Sequence, residues 1–170
     1  MEKVEITTQR LRLILQSPDQ VMQWLESLPP EVRIEVSESW VEQVRRARPG
    51  DYWSLGFEIQ LLEGAQSVGS LAFKGPPDGE RVVELGYGID PDHQRRGIAT
   101  EAVQALTNFA FESGEVSRVR AHTLPGNVAS ERVLTKCGFE RLGMVEEPDD
   151  GLVERWEVRP DVVKWIDLAE

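Results

Sequence analysis

Cysteine is almost missing from this chain. Cys137 stands alone among 170 residues, which excludes an internal disulfide. Its position at the end of an apolar-periodic segment suits a small buried apolar side chain. Long hydrophobic runs are missing too: no stretch approaches the roughly 18 apolar residues of a membrane span. The N-terminus lacks a charged-then-apolar leader, so a soluble, cytoplasmic protein without a membrane partner is expected. Positive charge is scarce, with 19 Lys and Arg against 30 Asp and Glu and a net charge of −11. Such a surface repels a phosphate backbone and argues against a nucleic-acid partner. It would attract an amine-bearing molecule, or simply serve solubility. Repeats, low-complexity tracts and linkers are also absent, and one domain over residues 1–170 is expected.

What is present is alternating periodicity. Leu11, Leu13 and Leu15 share a face and predict a first strand from Arg10. Ser17-Pro18-Asp19 starts a helix with Pro at its first position. Its apolar stripe is Val21, Trp24, Leu25 and Leu28, and Pro29-Pro30 stops it. Ser39 and Glu42 fit a capping box for a second helix, with Ser37 as the rival start and Pro49-Gly50 as the end. From Trp53 the period becomes two, with Trp53, Leu55, Phe57, Ile59 and Leu61 on one face. Val68–Lys74 and Val83–Ile89 follow across short turns, which predicts an antiparallel meander. Ile98, Ala102, Ala105, Leu106 and Phe109 then form a helical stripe, with Glu101, Gln104, Asn108 and Glu112 on the wet side. Val119–Leu124 reads as a strand parallel to the third meander strand by right-handed crossover. Asn127 to Cys137-Gly138 reads as a short helix. Phe139–Val145 and Val153–Val158 form a terminal hairpin, and a last helix begins at Pro160 with Val162, Trp165, Ile166 and Ala169 on one face. The fold class is α/β with a mixed sheet.

The segment that carries chemistry is Gln94-Arg95-Arg96-Gly97-Ile98-Ala99-Thr100, a small-residue turn between a strand and a helix. Unpaired N–H groups of a first helical turn, reinforced by the helix dipole, bind anionic phosphates. Gly97 and Ala99 allow close backbone approach, and the arginines add charge. Gly86 and Gly88 interrupt the preceding strand, which marks either a close backbone approach or a bulky neighbour.

The order of elements, with Gln94, Gly97 and Ala99 matching Gln/Arg-x-x-Gly-x-Gly/Ala, resembles the GNAT superfamily of acyl-CoA N-acyltransferases. Asn127-Val128-Ala129-Ser130, Leu134 and Gly138-Phe139 are a second match. Thr8-Gln9-Arg10-Leu11-Arg12-Leu13 is a third. Together they look like the branch of ribosomal-protein N-terminal (alanine or serine) acetyltransferases, over about Thr7 to Val158. The resemblance implies a mixed, mostly antiparallel sheet with a splayed parallel strand pair and helices on both faces. It also implies acetyl-CoA as acyl donor, with pantetheine along Tyr87 to Ile89 and the diphosphate on the amides from Arg95 to Thr100. No metal is assigned.

Amide formation needs a neutral amine, a stabilised oxyanion and often a proton for the thiolate. Glu84 is the candidate base, since the family often uses a glutamate on this strand, directly or through water; a solvated strand carboxylate is the other reading. The resemblance puts the oxyanion on a backbone N–H near Ile89. Many family members protonate the thiolate with a tyrosine on the short helix, but Arg132–Cys137 contains none. Ser130 is the substitute, as acid or as cofactor ligand. Asn127 caps that helix and, by resemblance, also contacts the cofactor. His122 shares a face with Arg118 and Arg120, and is either structural or part of the acceptor cleft. His93 is expected in a solvated loop. Trp24, Trp40, Trp53, Trp156 and Trp165 are expected in the core, with Trp40 also open as a cleft wall.

The expected activity is acetyl transfer to a primary amine, on a protein N-terminus or a small molecule. A larger acyl-CoA donor and a non-catalytic acyl-CoA-binding protein are the alternatives. The oligomeric state stays open, a homodimer included.

Overall fold

The computed structural model describes residues 3–148 and 150–161. In chain order these form β1 (Glu5–Thr7), β2 (Leu11–Leu15), α1 (Pro18–Ser27), α2 (Pro30–Arg33), α3 (Glu38–Arg46), β3 (Gly56–Leu61) and β4 (Ser67–Phe73). Then follow β5 (Val82–Ile89), α4 (Ile98–Glu112), β6 (Arg118–Thr123), α5 (Val128–Lys136), β7 (Glu140–Glu147) and β8 (Gly151–Val158). The helix expected from Pro160 falls mostly outside the described residues. No helix among them is long and apolar enough to cross a membrane.

The strands form one sheet in the order β1-β2-β3-β4-β5-β6-β8-β7. Every neighbouring pair is antiparallel except β5 and β6, which run parallel across α4 as the crossover rule requires. Alternation sets the faces. Leu11, Leu13, Phe57, Ile59, Leu71, Phe73, Leu85 and Val119 point to one side and are almost wholly buried there, under α4. Each such side chain contributes about 1.5–3 kcal/mol on burial. Residues at the alternate positions, among them Glu58, Ser70, Gly86 and Gly88, line a cleft on the other side, and α1 and α3 wall it.

Several expectations need correction. β1 was not anticipated; three residues give too little periodicity to see. Pro30 does not only stop α1 but opens the one-turn α2, Pro being favoured at a first helical position. α3 starts at Ser37, whose hydroxyl accepts from Trp40 N–H, while Ser39 bonds to Ser37 and Glu42 pairs with Arg46. Tyr52 and Trp53 lie in a turn, so β3 begins only at Gly56. The largest correction concerns α4: Glu101, Gln104 and Thr107 are buried along with its apolar stripe. The N-terminal segment covers Glu101, whereas Asn108 is half-buried and Glu112 exposed, in keeping with the wet side expected for them.

Candidate active site

β5 keeps its parallel partner for only three residues, Val82 to Glu84 against Arg118 to Arg120. Beyond Glu84 the two strands splay apart, because β6 turns to pair with β8. On its other edge β5 stays zipped to β4, where Lys74 N–H donates to Glu84 C=O and Asp90 N–H to Val68 C=O. Backbone groups alternate sides along a strand in an antiparallel ladder. Tyr87 and Ile89 therefore turn their backbone groups toward the open edge. A side chain at Gly69 would sit 2.3 Å from Gly88 O, so glycine there lets the two strands approach. Nothing lies within 4 Å of the Cβ position of Gly88, and Gly86 faces only the end of Lys74 at 3.4 Å. A bulky neighbour is thus not what those two glycines accommodate; the space above Gly88 is open.

The phosphate-type turn follows directly. Pro91–His93 makes one 3-10 turn, and Gln94 donates from Nε2 to Ile89 O at 2.9 Å, closing the loop onto the end of β5. Arg95 and Gly97 both adopt left-handed backbone, with φ of 65° and 78°. Alternating handedness around Arg96 curls successive N–H groups into a concavity that suits an anion. Gly97 caps α4 without any side-chain cap, so the first-turn amides from Ile98 onward are free to bind. Arg95 and Arg96 are exposed, and neither has an ion-pair partner among the described residues. Ala99 and Thr100 lie in the first turn, both half-buried, and Ile98 is buried beneath it.

Sequence reasoning missed what holds this turn in place. Glu101, 5 % exposed, accepts from Thr8 Oγ1 at 2.5 Å, from Arg10 N–H at 2.9 Å and from Arg10 Nε at 2.8 Å. The same guanidinium donates to Arg96 O at 2.9 Å. The N-terminal segment thereby clamps the turn from behind. Only Thr8 and Arg10 carried a signal, as part of the third motif; their partner lies far along the chain.

Glu84 projects into the cleft from the last paired position of β5. Its Oε2 lies 2.9 Å from Lys74 Nζ and 3.1 Å from His122 Nδ1. Burial alone would raise the Glu84 carboxyl, but the His122 ring nitrogen facing it and the Lys74 ammonium outweigh it and lower its pKa to about 2. Burial opposes the Lys74 ammonium, and Glu84 and then Asp150 more than offset it, so its pKa is raised. Arg155 Nε donates to His122 Nε2 at 3.1 Å, which leaves Nδ1, facing Glu84, to carry the ring proton. His122 shares the Arg118 and Arg120 face as expected, but both arginines are taken up by the buried Glu157. His93 is half-buried in its 3-10 turn, not in an open loop.

On the far side of the splay, Asn127 caps α5 by accepting from Ser130 N–H at 3.2 Å. Ser130 sits on the first turn, half-buried, with the Tyr87 phenol against it. The Tyr87 hydroxyl is shielded from solvent and forms no hydrogen bond of normal geometry. Burial raises its pKa, an effect that Ser130 reduces, so the phenol is protonated at neutral pH. Cys137 is fully buried, with its thiol pushed up to about 12, as a structural cysteine should be.

Trp156 is buried in the core, and half-buried Trp53 packs against it, its ring on Phe73 at 4.8 Å. Trp24 is not: it is 51 % exposed and, with Trp40, lines the cleft. Trp165 lies outside the described residues. The cleft encloses about 1120 Å³.

A family model described as an acetyltransferase (GNAT) domain matches residues 6–140. An uncharacterized N-acetyltransferase of Bacillus subtilis, YjdG, is 38% identical over 87 residues, 49% of this chain and 52% of its own length. The ribosomal-protein-serine acetyltransferase of Escherichia coli is 29% identical over 91 residues, covering 54% of this chain and 51% of that protein. The chain thus matches about half the length of these relatives. Mycobacterium smegmatis RimJ, solved with CoA-disulfide, superposes with a TM-score of 0.69 at 19% identity, over 94% of this chain and 87% of that one. With a phosphate-type turn beside a splayed strand pair, and a domain match over most of its length, the chain belongs to the GNAT acetyltransferase family.

Proposed function

We propose that the protein is a cytoplasmic acetyl-CoA-dependent N-acetyltransferase that moves an acetyl group to a primary amine by direct attack on the thioester. One observation carries this reading. The splay beside Tyr87 and Ile89 joins a free anion-binding turn at one end to a carboxylate-lined cleft at the other. Arg95, Arg96, Gly97 and the amides of Ile98, Ala99 and Thr100 would hold the diphosphate, with Gln94 bracing the loop and Asn127 beside the pantetheine arm. The open edge at Tyr87 and Ile89 would take the pantetheine amides as an added strand. A backbone N–H near Ile89 would then meet the developing oxyanion.

Glu84 would receive the acceptor amine. A carboxylate held this acidic stays ionised and is a weak base, so it orients the amine and stabilises its positive charge. The amine proton leaves through water. After the amine nitrogen bonds to the carbonyl carbon and the C–S bond breaks, the thiolate takes a proton from the neighbouring Tyr87 and Ser130 hydroxyls, which solvent replenishes through the half-exposed Ser130. This pair fills the place of the tyrosine that α5 lacks. The ribosomal-protein branch remains consistent with the E. coli relative.

The test is thiol release from acetyl-CoA and from succinyl-CoA against a panel of amines, with products weighed by mass spectrometry. Acetylated amine and stoichiometric CoA are expected. Preference for succinyl-CoA would replace the donor. Tight acetyl-CoA binding without transfer to any amine would leave a binding protein.

A further inference from the structure

Five side chains cross the sheet in a row at the fork where β5 and β6 part. Lys74 directly follows β4, Glu84 lies on β5, His122 on β6 and Arg155 on β8, and Glu147 ends β7; these strands are neighbours in that order. Each side chain meets the next. Lys74 Nζ lies 2.9 Å from Glu84 Oε2, and His122 Nδ1 lies 3.1 Å from the same oxygen. Arg155 Nε donates to His122 Nε2 at 3.1 Å, and Arg155 Nη2 donates to Glu147 Oε1 at 2.6 Å. The last backbone pairing of β5 with β6 is Glu84 with Arg120. His122 stands two residues further along β6, opposite Arg155, so its ring reaches back to β5 across the opening.

Two observations single out this ring. Its side chain is 4 % exposed, yet Nδ1 forms no hydrogen bond of normal geometry while it faces the Glu84 carboxylate. A buried donor left unpaired is costly, and catalytic hydrogen bonds are often misaligned before substrate binds and tighten once it does. The second observation concerns the other nitrogen. A neutral imidazole has one ring lone pair to offer, here on Nε2, and a guanidinium that keeps its protons already occupies it. The ring therefore takes no proton from an acceptor amine and passes none on to β8. What remains for it is to hold a carboxylate.

We propose that His122 is a positioning residue of the acyl transfer, kept by Arg155 in the tautomer whose Nδ1–H fixes the Glu84 carboxylate when the acceptor amine arrives. The inference rests on the acyl-transfer reading above. Lys74 contacts the same Oε2 from the β4 side, so the carboxylate is gripped from both flanks of β5 and does not swing into the splay. The amine then meets a carboxylate at a set distance from the open edge of β5, and a misplacement of about 1 Å there costs up to about 10²-fold in rate.

The experiment measures kcat and KM with an amine that the thiol-release panel shows to be acetylated, and reads the ring proton by nitrogen NMR of histidine-labelled protein. His122→Gln should lower kcat about tenfold to 10²-fold and leave KM for acetyl-CoA unchanged. His122→Asn, whose side-chain N–H can stand close to the Nδ1 position, should recover most of that loss. In a Glu84→Gln background, His122→Gln should lower kcat no further, because the ring acts through Glu84. Full additivity there, or wild-type kcat in His122→Gln alone, overturns the proposal. The spectrum should show the His122 proton on Nδ1, and Arg155→Met should move it toward Nε2. A wild-type proton on Nε2 overturns the proposal without any variant having to fold. If no amine is acetylated, the acyl-transfer reading fails, and the position of the ring proton still decides whether His122 holds Glu84.

Discussion

Arg10 and Glu101 pin the phosphate-type turn: the guanidinium bonds Glu101 at 2.8 Å and reaches the carbonyl of Arg96 at 2.9 Å. The pair ties the entrance of β2 to the first turn of α4, which is where an anion would sit. Glu101→Ala should leave the Arg10 N–H and Nε without their acceptor and the Thr8 hydroxyl with only Leu11 as partner. The loss should be on the order of 1–3 kcal/mol, read as a lower thermal midpoint. Acetyl-CoA affinity should fall as well, because the turn loses its backing. A variant with unchanged midpoint and affinity would show the clamp to be idle.

Gly97 tests the turn itself. At φ of 78° any other residue is strained, and a new Cβ would meet Arg10 Nη2 at 3.3 Å. Gly97→Leu should cost roughly 1–2 kcal/mol of stability from the left-handed backbone. It should also weaken acetyl-CoA binding tenfold or more, about 1.4 kcal/mol. Calorimetry on the folded variant measures the second effect separately, and unchanged affinity would move the diphosphate elsewhere.

Glu84 links activity to pH in a specific way. Its folded pKa, about 2, lies below the ordinary carboxylate value of 4.5. Folding is therefore favoured by the ionised form above about pH 4.5, and that contribution is lost as pH falls toward 2. Its size is on the order of 3 kcal/mol. Glu84→Gln should flatten acid denaturation across this window. It should also lower kcat/KM by roughly 10²-fold uniformly from pH 6 to 9, since Glu84 does not titrate there. A displaced acid limb in the variant would instead make Glu84 the titrating base.

Tyr87 and Ser130 separate stability from catalysis. The Tyr87 hydroxyl is buried without a hydrogen bond of normal geometry, so Tyr87→Phe should leave stability equal or higher, by up to about 1 kcal/mol. Turnover should nevertheless drop about tenfold to 10²-fold, the low end of general-acid effects. Ser130→Ala should act in the same direction, and the double variant should be little worse than Tyr87→Phe alone if the two hydroxyls serve one proton. An additive double variant with normal single-variant turnover and raised acetyl-CoA Kd would make both cofactor ligands.

The local grammar of the chain was readable residue by residue. Ser17-Pro18 opens α1 and Asn127 caps α5 as read, because each depends on neighbours within one helical turn, whereas the capping box of α1 (Ser17 with Gln20) went unread and the one read at Ser39 and Glu42 is not formed. The meander and the alternation of Phe57, Ile59, Leu71 and Leu85 follow from a period of two, which any half-buried sheet imposes. Gly97 was identifiable because an uncapped helix start after a strand has few other uses.

Tertiary structure decided the rest, and for one physical reason: charge and burial are set by what arrives from elsewhere in the chain. Glu101 looked like a solvent-facing carboxylate until Thr8 and Arg10 packed over it. Glu84 read equally as a base or as a solvated strand carboxylate, and its neighbours Lys74 from β4 and His122 from β6 became visible only in the fold. Trp24 fitted an apolar stripe, yet no element closes over it, so its indole faces the cleft. The motif at Gln94 to Thr100, together with the matches at Thr8 to Leu13 and Asn127 to Phe139, pointed to the family that the domain match over residues 6–140 shows. Which carboxylates, indoles and hydroxyls surround the splay was settled only by the packing of β4, β6, α1 and α5 around β5, since long-range partners leave no periodicity to read.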